Sequence, residues 1–252
     1  MSRGGTAPRL GLIALLVLAT AADASAERVT VAMHDAPPYV IIHADGTVTG
    51  IEHDLIAAAL THAGRDLHPL VMPYARIRFA YVSDPSIDAE APAVAAFNLP
   101  GMLTQPFIRF RNVARALARS HLQIASIASL RGLRIQAFQN ARDALGPAYA
   151  TVVAEPPTEY QEQTNQMLQL RALWAGHADV MIGDRRILDY YQHLPQTEID
   201  PTEPTIDYPL FPPTDYSVAF HDAQLAEAFD RGIAAIRADG SYDRILAQYE
   251  PR

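Results

Sequence analysis

Two hydrophobic periods alternate along this chain, and this alternation restricts its fold more than any other feature. Val29, Val31 and Met33 recur at every second position, which predicts a strand. From Ile51 the apolar residues recur at helical spacing until Gly64, which predicts a helix and its end. Alternating strands and helices predict mostly parallel sheets with helices on both faces.

The same alternation is repeated in the second half of the chain. Strands are predicted over 133–137 and 178–182, and helices over 167–174 and 225–236. Asn140 is predicted to cap a short helix with Asp143 three residues later. Residues 195–213 are rich in Pro, Thr and acidic residues and predict an irregular connection.

Composition narrows the class of protein. The chain has 252 residues, no cysteine and a formal net charge of −8. The lack of cysteine excludes disulfides, thiolate metal sites and a lipid-anchored N-terminal cysteine. The acidic balance argues against nucleic acid or anionic lipid as a partner, because both favour a basic surface. The nine histidines show no metal-ligand spacing and no nucleotide-binding motif occurs, so neither a metal nor a cofactor is predicted.

The N-terminus has the three parts of a secretory signal peptide. Arg3 and Arg9 provide positive charge, residues 10–18 are apolar apart from Gly11, and Ala24-Ser25-Ala26 is a small-residue cleavage pattern. The apolar run is shorter than a membrane-spanning helix requires. We therefore expect cleavage after Ala26 and location in the periplasm.

Six motifs, in order along the chain, carry a family resemblance. They are Pro37-Pro38-Tyr39, Asp45-Gly46 followed by Gly50-Ile51-Glu52-His53-Asp54-Leu55, Ile87-Asp88-Ala89, Leu130-Arg131-Gly132-Leu133-Arg134-Ile135, Ala175-Gly176-His177-Ala178-Asp179, and Ile236-Arg237-Ala238-Asp239-Gly240-Ser241-Tyr242. With these motifs the chain resembles the family 3 periplasmic solute-binding proteins, the polar amino-acid receptors of ABC transporters.

This resemblance implies an α/β fold of the type II periplasmic binding protein kind. Two mixed sheets flanked by helices would form two lobes with a hinge and a central cleft. Lobe 1 would comprise residues 27–112 and 213–252, and lobe 2 residues 113–212, with hinges near 110–117 and 208–216. The implied function is capture of a small polar solute, amino-acid-like, by lobe closure. The implied protein is a monomer without catalytic residues that serves an ABC transporter permease or a sensor.

The resemblance also implies ligand-binding residues in the first lobe. Tyr39 follows the first strand, where open sheets bind ligands, and an aromatic side chain there can stack on a solute. Tyr74 and Arg76 follow the strand that ends near Met72, and an arginine can grip a carboxylate with two hydrogen bonds. Each residue has a structural alternative, packing for the tyrosines and a solvated surface position for Arg76.

The second lobe contributes further candidates. Gln139, Asn140 and Ala141 lie where a strand meets a helix, and the N–H groups of a helix N-terminus favour an anion. Asp184 follows the strand over 178–182, at the position where the family pairs a carboxylate with the ligand's ammonium group. The alternatives are an ordinary helix cap for Asn140 and pairing with Arg185 or Arg186 for Asp184.

One stretch departs from the family. Receptors of this kind usually carry an arginine about a dozen residues after the Ile-Asp-Ala strand, and residues 89–108 here contain no arginine or lysine. Phe97 and Asn98 stand in the expected region and are predicted to line the cleft. Either another arginine, Arg76 or its rival Arg78, replaces the missing one, or the ligand is not an ordinary α-amino acid.

Acidic residues raise one alternative function. Periplasmic cyclohexadienyl dehydratases resemble these receptors and use a cleft carboxyl as a general acid. Asp184, Glu159 and Glu162 are the candidates for that role. Glu52, Asp54, Asp88 and Asp179 are interpreted as structural, because they lie at helix starts or at turn-to-strand junctions.

Overall fold

A computed structural model describes Met1 and residues 26–195 and 199–250. In chain order its strands are β1 (Glu27–Met33), β2 (Ile41–Ile42), β3 (Val48–Thr49), β4 (Arg65–Val71), β5 (Ala89–Ala93), β6 (Met102–Leu103), β7 (Ile108–Phe110), β8 (Asn112–Leu117), β9 (Arg134–Phe138), β10 (Glu159–Gln163), β11 (Val180–Asp184), β12 (Thr205–Tyr208) and β13 (Thr214–Phe220). Its helices are α1 (Ile51–His62), α2 (Tyr74–Ser83), α3 (Ala141–Ala144), α4 (Pro147–Ala154), α5 (Gln166–Trp174), α6 (Arg185–His193), α7 (Ala223–Ala238) and α8 (Ser241–Gln248).

The strands form two main sheets. The first has the order β4-β1-β5-β13-β6, with β7 also paired to β13, and its β1, β4 and β5 are parallel. The second has the order β10-β9-β11-β8-β12, with β9 parallel to β10 and β11. Each sheet also contains antiparallel pairs, so both are mixed, and the predicted two-sheet α/β fold is confirmed.

Two adjacent segments connect the sheets. The chain leaves the first sheet between β7 and β8 and returns between β12 and β13. Because β7 pairs with β13 and β8 pairs with β12, the two crossings run side by side. The first sheet therefore draws its strands from both ends of the described chain, and the second sheet from the middle.

The first core lies between the first sheet and helices α1 and α7. Leu55, Ile56 and Ala59 of α1 are fully buried at the helical spacing seen in the sequence. Gly232 of α7 lets the two helices approach closely, because a Cβ atom there would lie 2.3 Å from the carbonyl oxygen of Ala59. The predicted helices over 51–64 and 225–236 are thus confirmed, and they fix the first sheet from one side.

Two local predictions are wrong. Residues 205–208, expected to be irregular, form β12, because their main chain pairs with β8 and completes the edge of the second sheet. Asn140 does not cap α3 with its side chain: its backbone is left-handed, with φ 64°, and its side chain makes no capping hydrogen bond. The signal-peptide prediction concerns residues 1–26, and residues 2–25 lie outside the described chain. No helix within the described residues is long and apolar enough to cross a membrane.

Candidate ligand-binding cleft

The carboxyl ends of strands from both sheets meet between the two sheets. Tyr39 lies in the loop that follows β1, and Asp184 is the last residue of β11. The Tyr39 hydroxyl donates a hydrogen bond of 2.8 Å to Oδ1 of Asp184. The Tyr39 ring is fully buried and stacks on Phe110, with 4.0 Å between the ring centroids. This contact places the loop after β1 against the start of α6, where α/β folds bind ligands.

The carboxylate of Asp184 is occupied by the protein itself. Its Oδ1 accepts hydrogen bonds from the backbone N–H of Arg186 and of Ile187 in addition to the Tyr39 hydroxyl. Its Oδ2 accepts a 2.6 Å hydrogen bond from the backbone N–H of Arg111. A carboxylate offers about four acceptor positions, so a ligand ammonium group would have to displace a protein donor. Asp184 thus caps α6 and joins both lobes.

Burial and hydrogen bonding shift the pKa of Asp184 in opposite directions. Its side chain is nearly enclosed, and this burial raises the pKa of the carboxyl group above its ordinary value. The N–H donors and the Tyr39 hydroxyl oppose that shift because they stabilise the charged form.

The predicted anion site at α3 is also filled by a side chain of the protein. Glu162 of β10 accepts hydrogen bonds from the backbone N–H of Asn140, at 2.7 Å, and of Arg142, at 3.0 Å. The hydroxyl of Tyr160 donates a third, at 2.7 Å. Gln139 and Asn140 are exposed and Ala141 is buried in the second core. A ligand carboxylate at this turn would compete with Glu162.

The three carboxyl groups proposed for general-acid chemistry do not present a proton to the cleft. Asp184 is enclosed by donors. Partial burial disfavours the charge of Glu162, but the N–H and hydroxyl donors outweigh it and hold the pKa below its usual value. Glu159 is exposed and pairs in register with Arg134, the first residue of β9, whereas the cleft lies beyond the last residue of that strand.

The first-lobe candidates surround the start of α2. Tyr74 is the first residue of this helix, and its ring centroid lies 5.0 Å from that of His34, just after β1. Phe97 closes a short 3₁₀ turn and Asn98 follows it in left-handed conformation, with φ 49°. Arg76 is exposed, and its side chain makes no hydrogen bond or ion pair with the described residues.

Arg78, the rival to Arg76, contacts the predicted site. Its guanidinium carbon lies 3.7 Å from the ring centroid of Phe97, which is a cation–π contact. Residues four apart share a helix face, so Arg78 lies on the side of α2 that carries Tyr74, whereas Arg76 points elsewhere. A cation is thereby placed against Phe97, in the stretch that lacks its own arginine.

Two polar residues of this region escaped the sequence analysis. Glu90 of β5 is only 3% exposed, and its Oε2 has no hydrogen-bond partner. Burial raises its pKa to about 7, although the charge of Arg78 acts in the opposite direction. Nδ1 of His34 is likewise buried without a partner, and burial lowers the pKa of this imidazole to about 4. We call the set His34, Tyr74, Arg78, Glu90 and Phe97 the α2 cluster. The sequence signal for Glu90 was an acidic residue inside the apolar run 87–96.

Acidic residues that were interpreted as structural form most of their hydrogen bonds and ion pairs within the protein. Asp88 accepts a hydrogen bond from the backbone N–H of Thr30 at 2.7 Å, and Asp179 forms an ion pair with Arg134 at 2.6 Å. Glu52 differs, because it is fully buried in the first turn of α1 with Oε1 unpartnered, and this burial raises its pKa to about 8. Among the described residues, no group of three or more His, Asp or Glu is arranged to hold a metal ion.

Comparison with known proteins identifies the fold. No protein-family model matches the chain, and no curated protein matches it. Among solved structures it resembles a histidine kinase sensor domain with similarity to periplasmic binding proteins, with TM-score 0.72 and 19% identity over 89% of this chain and 96% of that one. It also resembles an amino acid ABC transporter substrate-binding protein from Streptococcus pneumoniae bound to L-arginine, with TM-score 0.67 and 16% identity over 88% and 94%.

A third similar structure is an ancestral amino acid-binding protein described as a precursor of cyclohexadienyl dehydratase. The TM-score is 0.67 and the identity 15%, covering 88% of this chain and 94% of that one. The chain therefore has the two-lobed fold of the periplasmic binding proteins. At these identities the likeness establishes the fold alone.

Proposed function

We propose that this protein is an exported solute-binding protein that captures a small polar, amino-acid-like solute between its two lobes. The observation that carries the proposal is the guanidinium of Arg78 held on the ring of Phe97. An arginine at this place supplies the first-lobe cation that a carboxylate ligand requires, and the stacked ring orients its planar fork.

An aromatic side chain beside Arg78 also supports solute binding. Tyr74 is partly exposed beside Arg78, so its ring can cover one side of a bound solute. That Arg76 holds the carboxylate stays a prediction, and we propose Arg78 for this role because its guanidinium is held on the ring of Phe97.

The fold also supports a mechanism in which the lobes close on the solute. The crossings near residues 110–112 and 208–214 lie side by side, so small backbone rotations there can move one sheet relative to the other. Tyr39 and Asp184 already join the lobes at the base of the cleft, close to the crossing at Arg111. We expect the outer parts of the lobes to move most.

The proposed location is the periplasm, with residues 1–26 removed on export. The similar structures include both a transporter component and a sensor domain, so the captured solute is delivered either to a membrane transporter or to a sensor. Asp184, Glu162 and Glu159 are occupied, ionised or distant from the cleft, so we assign general-acid catalysis to none of these three groups.

Differential scanning fluorimetry over the twenty L-amino acids, polyamines and small dicarboxylates tests the proposal. A solute that binds only the folded protein raises the melting temperature with the logarithm of its concentration. We expect at least one amino acid to do so and to reduce the radius of gyration in small-angle X-ray scattering. If dicarboxylates or polyamines raise the melting temperature and no amino acid does, the solute class is wrong.

A further inference from the structure

Glu90 and Arg78 of the α2 cluster carry opposite charges but form no hydrogen bond or ion pair with each other. Oε2 of Glu90 is buried without a hydrogen-bond partner, while the guanidinium of Arg78 stacks on Phe97. Arg78 is near enough to influence the ionisation of Glu90. An arrangement of this kind leaves one cationic and one anionic position open to a second molecule.

Strand register places Glu90 below the edge of the cleft. Ala32 of β1 pairs with Glu90 of the parallel β5, and His34 follows two residues after Ala32. Glu90 is therefore about two residues, or roughly 7 Å, beneath His34. Because alternate residues of a strand face the same side, His34 and Glu90 both face α2. The unpartnered Nδ1 of His34 and Oε2 of Glu90 thus lie on one side of the sheet.

Loss of solvation makes a buried, unpartnered Glu90 carboxylate energetically unfavourable. A carboxylate removed from water without a partner is strongly disfavoured, so Glu90 gains stability from any cation with N–H donors that reaches it. The second-lobe carboxylate expected to bind an ammonium group, Asp184, already accepts four hydrogen bonds. Glu90 is the carboxyl group beside Arg78 with an oxygen still unpartnered.

We infer that Glu90 accepts the ammonium group of the bound solute while Arg78 binds its carboxylate, so that the first lobe alone holds both charges of an amino-acid head group. The inference rests on the proposed function and goes beyond it by moving the cation acceptor from Asp184 to Glu90. Both charges of an α-amino acid lie in one head group, which suits a cationic and an anionic side chain that belong to one cluster. In the tautomer protonated on Nε2, His34 Nδ1 offers a second acceptor for the ammonium group, and the Tyr74 ring offers a neighbouring face.

The test compares solutes that differ by one group. Isothermal titration calorimetry measures the affinity of the wild type for the twenty L-amino acids and for the analogue of each in which hydrogen replaces the α-amino group. We expect the best amino acid to bind roughly ten- to a hundredfold more tightly than its deaminated analogue. In Glu90→Gln that ratio should fall to about 1, because the charged acceptor is gone.

Glu52→Gln is the matched control, since Glu52 is also a buried glutamate with one unpartnered oxygen but belongs to α1. It should keep the wild-type ratio. Glu90→Leu provides a second variant, without a polar group at this position. The ratio of the affinities for the amino acid and for its deaminated analogue, measured on one variant, does not depend on how much of the sample is folded.

Each outcome has a distinct meaning. If Glu90→Gln keeps the wild-type ratio, or if the wild type binds the deaminated analogue as well as the amino acid, Glu90 does not hold the ammonium group and the inference is overturned. In either case the proposed function stands, because an amino acid still binds. If no amino acid binds the wild type while other solutes do, the proposed function itself is wrong and the inference fails with it.

Discussion

The hydroxyl group of Tyr39 donates a hydrogen bond of 2.8 Å to Oδ1 of Asp184, and this bond joins the loop after β1 to the end of β11. The two residues are 145 positions apart in the chain. With the N–H groups of Arg111, Arg186 and Ile187, the Tyr39 hydroxyl completes the hydrogen bonding of one nearly enclosed carboxylate. The base of the cleft is therefore a structural junction between the lobes.

Removing the acceptor at this junction should destabilise the protein. Asp184 accepts four hydrogen bonds, and in Asp184→Asn the side-chain NH₂ group would face N–H donors instead of accepting from them. We therefore expect the free energy of unfolding to fall by roughly 2–3 kcal/mol. Tyr39→Phe loses one donor and should cost about 1 kcal/mol. Urea unfolding monitored by circular dichroism measures both.

Asp66→Asn is the control for those two variants, because Asp66 is exposed on the edge strand β4. It should change stability by less than about 0.5 kcal/mol. Equal stability of Asp184→Asn and the wild type, together with a loss of solute affinity, would instead assign Asp184 to ligand binding as the family resemblance implies.

Glu52 should make stability depend on pH. Burial raises its pKa from 4.5 to about 8, so between these values the folded protein keeps a proton that the unfolded chain has released. The free energy of unfolding therefore falls as pH rises through this window. At pH 7 the free energy of unfolding is therefore roughly 3 kcal/mol lower than it is below pH 4.5, at 1.36 kcal/mol per pKa unit.

Glu52→Gln removes this titration and keeps the shape of the side chain. Its stability relative to the wild type should increase from pH 5 to pH 8, as measured by urea unfolding at several pH values. Parallel pH profiles of the two proteins would contradict a buried, protonated Glu52.

Arg78 and Arg76 should differ in their effect on binding. Arg78→Gln removes the cation on Phe97 and should weaken the binding of an amino acid by roughly ten- to a hundredfold. Arg76→Gln removes an exposed side chain two residues away and should leave the affinity within about twofold. Calorimetric titration with the amino acid found by fluorimetry distinguishes them, and the reverse ranking would restore the sequence prediction for Arg76.

Amino-acid affinity should weaken in acid if Glu90 binds the ammonium group. The pKa of Glu90 lies near 7, so below that pH its proton must leave before a cation can bind, and the affinity should fall up to tenfold per pH unit. The groups that face it are His34 from the end of β1 and Tyr74, Arg78 and Tyr81 from α2. Burial lowers the pKa of His34 to about 4 and raises that of Tyr81 to about 12, so neither titrates near pH 7.

The measurement is a calorimetric titration from pH 5.5 to pH 8. In Glu90→Gln the slope of affinity against pH should disappear. A wild-type affinity that is constant across this range would show that no proton leaves Glu90 on binding.

Export predicts a defined N-terminus. Protein recovered from the cell envelope should begin at Glu27, because Ala24-Ser25-Ala26 matches the cleavage pattern. N-terminal sequencing decides this. An intact Met1 product confined to the cytoplasm of the native host would contradict the proposed location.

Sequence alone predicted the main helices and strands of the two sheets' cores and the class of fold. Val29, Val31 and Met33 alternate in β1, and the apolar spacing of Leu55 and Ala59 predicts α1, because the period of an element is a local property of neighbouring residues. The motif order then indicated two lobes built on a known plan. The edge strand β12 escaped prediction because its pairing partner β8 lies far away in the chain and provides no local pattern.

Only the tertiary structure decided which charged side chains of the cleft are bonded within the protein and which are free to bind a ligand. Whether Arg76 or Arg78 reaches Phe97 depends on where α2 begins and how it packs against the turn that carries Phe97. Whether Asp184 is open to a ligand depends on Tyr39, which lies 145 positions away in the chain and donates a hydrogen bond to its carboxylate. Strand pairing with β1 decides which side of the sheet Glu90 faces. Contacts between distant segments set the burial and hydrogen bonding of each carboxyl group, and these in turn determine whether it is structural or free to bind.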